Sequence, residues 1–132
     1  YQRTLEDYSD YVEIARNAGA GETLDQIIPE IYNEAMFPGT AMLYSFPSYV
    51  YSLWQEYSVE ELEYIASFCK EKGIPAATVY WEYWSEETEK IFEKNGISLY
   101  VYTVNDRDQA RRYISQGAEG ICTDFLTAED LW

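Results

Sequence analysis

Five short apolar runs, centred on Ile28, Val50, Val79, Val101 and Ile121, recur along the chain at steps of 22, 29, 22 and 20 residues. Each leads into a stretch with helical periodicity, and this alternation constrains the fold more than any other feature. A strand, a helix and a second strand repeated in one direction require crossover connections. Neighbouring strands then run parallel, with helices packed outside the sheet. The expected class is therefore α/β, built of parallel βα repeats. The common homes of such repeats are a complete (β/α)8 barrel, which takes roughly 200 residues or more against the 132 here, and an open doubly wound sheet. No Gly-x-Gly-x-x-Gly loop follows any run, which argues against a dinucleotide-binding domain.

Local signals place the elements. Leu5, Tyr8, Tyr11, Val12, Ile14 and Ala15 share a helical spacing that closes at residues 17–19 and Gly21. Residues 27–32 read as the first strand, although Pro29 cannot donate to a ladder. Asn33 is a candidate cap for a helix reaching residues 42–46, which Pro38 and Gly39 are expected to interrupt or bend. Residues 48–54 make the second strand. Ser58, with Glu61 three positions on, opens a helix whose stripe is Leu62, Ile65, Ala66 and Cys69. Gly73 and Pro75 end it. Residues 76–81 form the third strand, and Ser85 opens a helix with Glu86 and Glu87 near its positive end. A strand at 98–104, a helix at 106–116 and a strand at 120–123 follow, and Thr127 begins a last helix.

Nine basic and twenty-four acidic side chains give a net charge of −15. That balance excludes nucleic acid and anionic membrane surfaces as partners, because both are bound through Lys and Arg. It does not by itself make a metal site. Fourteen Tyr, four Trp and five Phe read first as core filling with ordinary exposed Tyr, and second as amphipathic surfaces that meet a partner. Cys69 and Cys122 match neither zinc-ligand spacing nor a disulfide framework. No run approaches eighteen apolar residues, so no transmembrane helix is expected. The opening residues lack the basic and apolar regions of a signal peptide. A start without Met inside a helical segment suggests a piece of something longer, and no compartment follows from the sequence.

Tyr-Thr-Val-Asn at 102–105 and Gly-Ala-Glu-Gly-Ile-Cys-Thr-Asp at 117–124 closely resemble the last two strands of the glycerophosphodiester phosphodiesterase family. That family's usual phrases are Trp-Thr-Val-Asn and Gly-x-x-Gly-Ile-x-Thr-Asp. Ile-Ile-Pro-Glu-Ile-Tyr at 27–32 and Tyr-Ser-Leu-Trp-Gln at 51–55 are similar to phrases of one bacterial branch. The resemblance aligns the five strands with barrel strands four to eight. It implies the C-terminal half of a TIM-type (β/α)8 barrel, one partial domain over residues 1–132.

The same resemblance implies hydrolysis of glycerophosphodiesters or related lipid head-group diesters. A divalent metal, Ca or Mg, is held in the family by carboxylates of the first three strands, and two histidines serve as general acid and base. This chain has no histidine. No catalytic residue or metal ligand therefore carries over, and the chain alone is expected to bind no metal and to be inactive without an N-terminal half. What carries over is the rim, since substrate meets the carboxyl ends of barrel strands. The nominated substrate-binding residues are Glu30, Trp54, Glu82, Tyr102, Asn105 and Asp124. Tyr102 stands where Trp is usual, as an aromatic wall for the glycerol or head group, and Glu30 stands where Gln is usual. Each has a plainer alternative: Thr123 and Asp124 as caps of the last helix, Asn105 as turn chemistry, Tyr102 and Trp54 as packing, and Glu30 and Glu82 as part of an acidic rim without a specific duty. A second reading is a non-catalytic half-barrel that binds or self-assembles. Pairing into a homodimer would cover its sheet edges and apolar inner face.

Overall fold

A computed structural model describes residues 1–132. Helices and strands alternate as α1 (Gln2–Asn17), β1 (Glu30–Ile31), α2 (Met36–Leu43), β2 (Val50–Leu53), α3 (Val59–Lys72) and β3 (Ala76–Tyr80). They continue as α4 (Glu86–Lys94), β4 (Ser98–Tyr102), α5 (Arg107–Ser115), β5 (Gly120–Ile121) and α6 (Ala128–Leu131). The pairs β1–β2, β3–β4 and β4–β5 are all parallel, so the α/β class read from the alternation is the class observed. No helix is long and apolar enough to cross a membrane. The chain divides into two compact units, Tyr1–Tyr51 and Ser52–Trp132.

In the first unit, Val12, Leu24 and Phe46 form a small core, with Ala15, Leu43, Tyr44 and Tyr49 packed against it. Polar contacts tie α1 to the segments that follow. The Tyr8 hydroxyl donates to the Glu30 carbonyl at 2.6 Å, and Arg16 donates to the Leu43 carbonyl at 3.2 Å. The first strand is shorter than the sequence suggests and lies later. Only Glu30 and Ile31 pair, with Val50 and Tyr51, while Ile28 is 60% exposed. Pro29 lacks an N–H and enters the pairing only as an acceptor, its carbonyl taking the Val50 N–H at 3.1 Å. Pro38 and Gly39 do not break α2 but lie inside it. Pro38 is the third helical residue, where the amide has no acceptor within the helix, so a missing N–H costs nothing there. Asn33 does not cap α2 either: its side chain accepts the Ala35 N–H at 2.8 Å in a local turn, and Ala35 holds the cap position.

In the second unit the two-residue period of a strand is visible in the burial. Ala77 and Val79 of β3 and Leu99 and Val101 of β4 are buried. The helices supply the other side of this core through Leu62, Ile65, Ala66, Cys69, Ile91, Phe92, Ala110 and Tyr113. Full burial of a side chain such as Phe92 contributes about 1.5–3 kcal/mol over leaving it in water. The alternate residues Thr78, Tyr80, Tyr100 and Tyr102 are only half-buried on the opposite face. Tyr100 is in register with Gly120, and its ring lies across that residue. A Cβ at 120 would come within 2.8 Å of the ring, which explains glycine in a strand.

Helix starts in this unit follow the sequence signals. Ser58 accepts the Glu61 amide at 3.1 Å, Ser85 the Thr88 amide at 3.0 Å, and Asp106 the Gln109 amide at 2.8 Å. Gly73 closes α3 with φ +71°, a left-handed turn that favours glycine.

Candidate functional site

The carboxyl ends of β3, β4 and β5 gather the side chains with binding chemistry in the second unit. Tyr80 ends β3 and Tyr102 ends β4, and their ring centroids lie 5.7 Å apart. A short 3-10 turn, Trp81–Tyr83, places Trp81 and Tyr83 each 5.8 Å from Tyr80. The result is a tilted aromatic cluster at the strand ends, in a preferred range of ring geometry. The Tyr102 hydroxyl donates to the Leu53 carbonyl at 3.3 Å, and the Tyr102–Thr103 peptide is cis.

Beyond β4 the ladder continues through the Val104 N–H, which donates to the Cys122 carbonyl at 3.0 Å. This brings Asn105 beside residues 123 and 124. The Asn105 amide oxygen accepts the Thr123 hydroxyl and the Asp124 N–H, both at 2.9 Å, and its amino group donates to the Asp124 carboxylate at 2.8 Å. An Asn side chain has two donors and two acceptor sites, so most of this capacity is spent fastening one turn to the next. The exposed carboxylate of Asp124 is thereby fixed above the sheet end.

The six nominated residues do not form one cluster. Asn105 and Asp124 are joined directly, and Tyr102 belongs to the aromatic group. Glu82 sits exposed in the 3-10 turn and lines a separate crevice of about 250 Å³. Trp54 follows β2 and is 53% exposed. Glu30 lies in the first unit, exposed, with its carbonyl held by Tyr8; burial pushes the Tyr8 hydroxyl above its ordinary pKa. Neither Thr123 nor Asp124 caps α6. Thr127 does: its N–H and hydroxyl donate to the Asp130 carboxylate at 2.9 and 3.2 Å. The Thr127 N–H holds the Asp130 carboxyl below its usual range.

The crevice beside Glu82 has aromatic and acidic neighbours that the sequence did not nominate, Tyr57 among them. Tyr83, Trp84, Glu56 and Glu87 line the same crevice. Their sequence signal is the mixed aromatic and acidic run at 81–84, just beyond the end of β3. No group of three or more acidic or cysteine side chains is arranged to hold a metal ion.

Parallel βα repeats with aromatic and polar side chains at the strand carboxyl ends define an α/β protein of the class in which ligands generally meet that end of the sheet. The sequence profile of the Glycerophosphoryl diester phosphodiesterase family matches residues 40–128, and the chain belongs to that family. Two solved structures share its fold. One, from Silicibacter pomeroyi DSS-3, is a protein assigned as a glycerophosphoryl diester phosphodiesterase. It is 15% identical with a TM-score of 0.70, over 94% of this chain and 42% of that one. The other is a glycerophosphodiester phosphodiesterase from Parabacteroides distasonis ATCC 8503, 17% identical with a TM-score of 0.63, over 93% of this chain and 48% of that one. The chain thus spans less than half the length of either structure. Comparison with curated proteins gave no match.

Proposed function

We propose that these residues supply the C-terminal half, strands four to eight, of a metal-dependent glycerophosphodiester phosphodiesterase barrel that turns over lipid head-group diesters. One observation carries the reading. The fold likeness takes in over nine-tenths of this chain yet under half of each larger structure, while the family profile matches its greater part. Tyr102 with Tyr80, and Trp54, would serve as apolar walls against the alcohol portions of the diester. Asn105 and Asp124 would form the polar rim, with Glu30 and Glu82 beside their own strand ends.

Phosphodiester hydrolysis of this kind needs a metal-activated nucleophile and stabilisation of charge at phosphorus. The chain has no histidine and no group of side chains suited to a metal. The residues present therefore do not fit the divalent ion, and the acid, base and metal ligands are assigned to a partner half-barrel. The test is an assay on bis(p-nitrophenyl) phosphate with Ca²⁺ or Mg²⁺, for the chain alone and for the chain joined to an N-terminal half-barrel of the family. We expect turnover only in the joined form. Turnover by the isolated chain that survives repurification and is lost in Asp124→Asn would overturn this assignment.

The half-buried aromatic face of Thr78, Tyr80, Tyr100 and Tyr102 favours a second reading, a non-catalytic half-barrel that binds or self-assembles through that face. A joined form that stays inactive, with the isolated chain sedimenting as a dimer, would select it.

A further inference from the structure

A second, wider crevice of about 510 Å³ opens between the start of α4 and the last turn of α5. The last turn of α5 leads into the start of β5 rather than its end, so this crevice belongs to the helices and not to the strand-end cluster. Trp81 and Trp84 line it, with Glu86 from α4 and with Arg112, Tyr113 and Gln116 from α5 and its end. Trp84 is held in place: its indole N–H donates to the Gln116 carbonyl oxygen at 2.9 Å, and its ring meets the buried Tyr113 edge-on at 5.8 Å. Trp81 leans on Tyr80 at 5.8 Å and still leaves 38% of its surface in water. Aromatic surfaces braced in this way lose little freedom when a ligand arrives.

The polar groups beside these rings are unspent. Glu86 and Arg112 share the crevice without pairing, and neither side chain enters a hydrogen bond elsewhere. Gln116 gives its oxygen to Trp84 and keeps two amide donors, and the Trp81 indole N–H is a further donor. The Ser85 hydroxyl, also at the edge, is taken by Thr88. One guanidinium and one carboxylate cancel, so the lining selects neither an anion nor a cation. A proline-rich segment offers only acceptors, which would suit Arg112 and Gln116 but leave Glu86 desolvated without a donor. A sugar hydroxyl both donates and accepts, and a pyranose ring adds a flat C–H face that can lie on an indole. We propose that this crevice binds a neutral pyranose sugar, its ring stacked on Trp81 and its hydroxyls shared among Glu86, Arg112 and Gln116. The site does not depend on the phosphodiesterase reading, since it needs neither a second half-barrel nor turnover.

The test uses the 132-residue chain itself. Amide and indole NMR signals are followed during separate titrations with methyl β-D-glucopyranoside, cellotetraose, decaproline and cyclohexanol. Saturable shifts at residues 81–86 and 112–116, the Trp81 and Trp84 indoles included, are expected with the two sugars alone. Tighter binding of cellotetraose assigns the site to a unit within a glycan, and equal binding assigns it to a single sugar. Trp81→Ala should weaken binding about tenfold, and Arg112→Met and Glu86→Gln several-fold each. Glu87→Gln, one position on but lining the crevice beside Glu82, should leave it unchanged. If Trp81→Ala does not fold, Arg112→Met decides the same point at an exposed side chain. Equal shifts with cyclohexanol would reduce the effect to an apolar crevice, and equal shifts with decaproline to a peptide groove. A loss in Glu87→Gln matching that in Glu86→Gln would reduce it to overall charge. Failure of both sugars to saturate, or shifts elsewhere, would dismiss the site. Each of these results overturns the proposal.

Discussion

Helices α3, α4 and α5 in residues 52–132 each begin on a side chain that accepts an amide of the first turn, whereas α2 in residues 1–51 begins on Ala35, which has no such group. The strands differ in the same way. β3 and β4 pair over five residues with alternate burial, while β1 pairs over two and leaves Ile28 outside it. Tyr11, Ile14 and Met42 are exposed on the helices of the first unit. Both units are written in the same βα pattern. Long strands and settled helix ends appear where local caps and the two-residue period agree with each other. The family profile, beginning at residue 40, falls mainly on the second unit as well.

The largest contrast is expected from packing. Phe92 is fully buried and Met42 is 87% exposed. Phe92→Ala should destabilise the second unit by about 3–5 kcal/mol, whereas Met42→Ala should stay within about 0.5 kcal/mol. Urea unfolding followed by far-ultraviolet circular dichroism checks both. A loss below about 1 kcal/mol for Phe92→Ala would remove the packing account of the second unit.

The difference between the units also marks where the sequence was legible. Ser58, Ser85 and Asp106 announce their helices because a cap is a contact across three residues, readable from spacing alone. Strands β3 and β4 are legible for a similar reason, since alternation needs no partner to be seen. Ile27 and Ile28 mislead because two β-branched residues look like a strand centre, while the ladder forms only after Pro29. Pro38 misleads because its effect depends on which helical position it occupies, and that position is set by where the helix starts. The site is less legible than the fold. Asn105 and Asp124 can be nominated singly, but their mutual bonds follow from the extension of β4 beside residues 122–124. The crevice around Glu82 depends on two connections meeting, α3's start and α4's approach, which no local pattern encodes.

A sharper probe of the second unit is its half-buried face. Gly120→Ala would bring a Cβ to 2.8 Å from the Tyr100 ring and should cost about 1–3 kcal/mol through overpacking. Combined with Tyr100→Ala, the same change should cost much less, giving a coupling that a double-mutant cycle reads directly. Additive losses would mean that the ring does not lie over Gly120 in solution.

Capping effects come next in size. Ser58→Ala, Ser85→Ala and Asp106→Ala should each cost about 1 kcal/mol. Asn33→Ala, which removes only an exposed turn contact before α2, should cost less than any of them. Thermal unfolding of the four variants ranks them. An Asn33 variant as damaging as the others would erase the distinction between capped and uncapped units.

The smallest effect tests the charge balance of the second unit. Glu89 packs its carboxyl against Gly117, where a Cβ would come within 2.9 Å of it. Burial raises its pKa above the ordinary 4.5, and Glu93 and Glu86 add to the rise against the opposing Lys90. The folded chain therefore holds this proton to higher pH than the unfolded chain does. The favourable contribution of the neutral form is fully present below the unfolded value and is lost as pH rises through the folded one. Ionised Glu89 is thus a small burden at neutral pH, and Glu89→Gln should raise Tm slightly near pH 7 with no gain near pH 3, about where the wild-type group is already protonated. An equal gain at both values would show that the amide acts through packing. A loss near pH 7 would show that the carboxylate makes a favourable contact there, contrary to the direction of its shift.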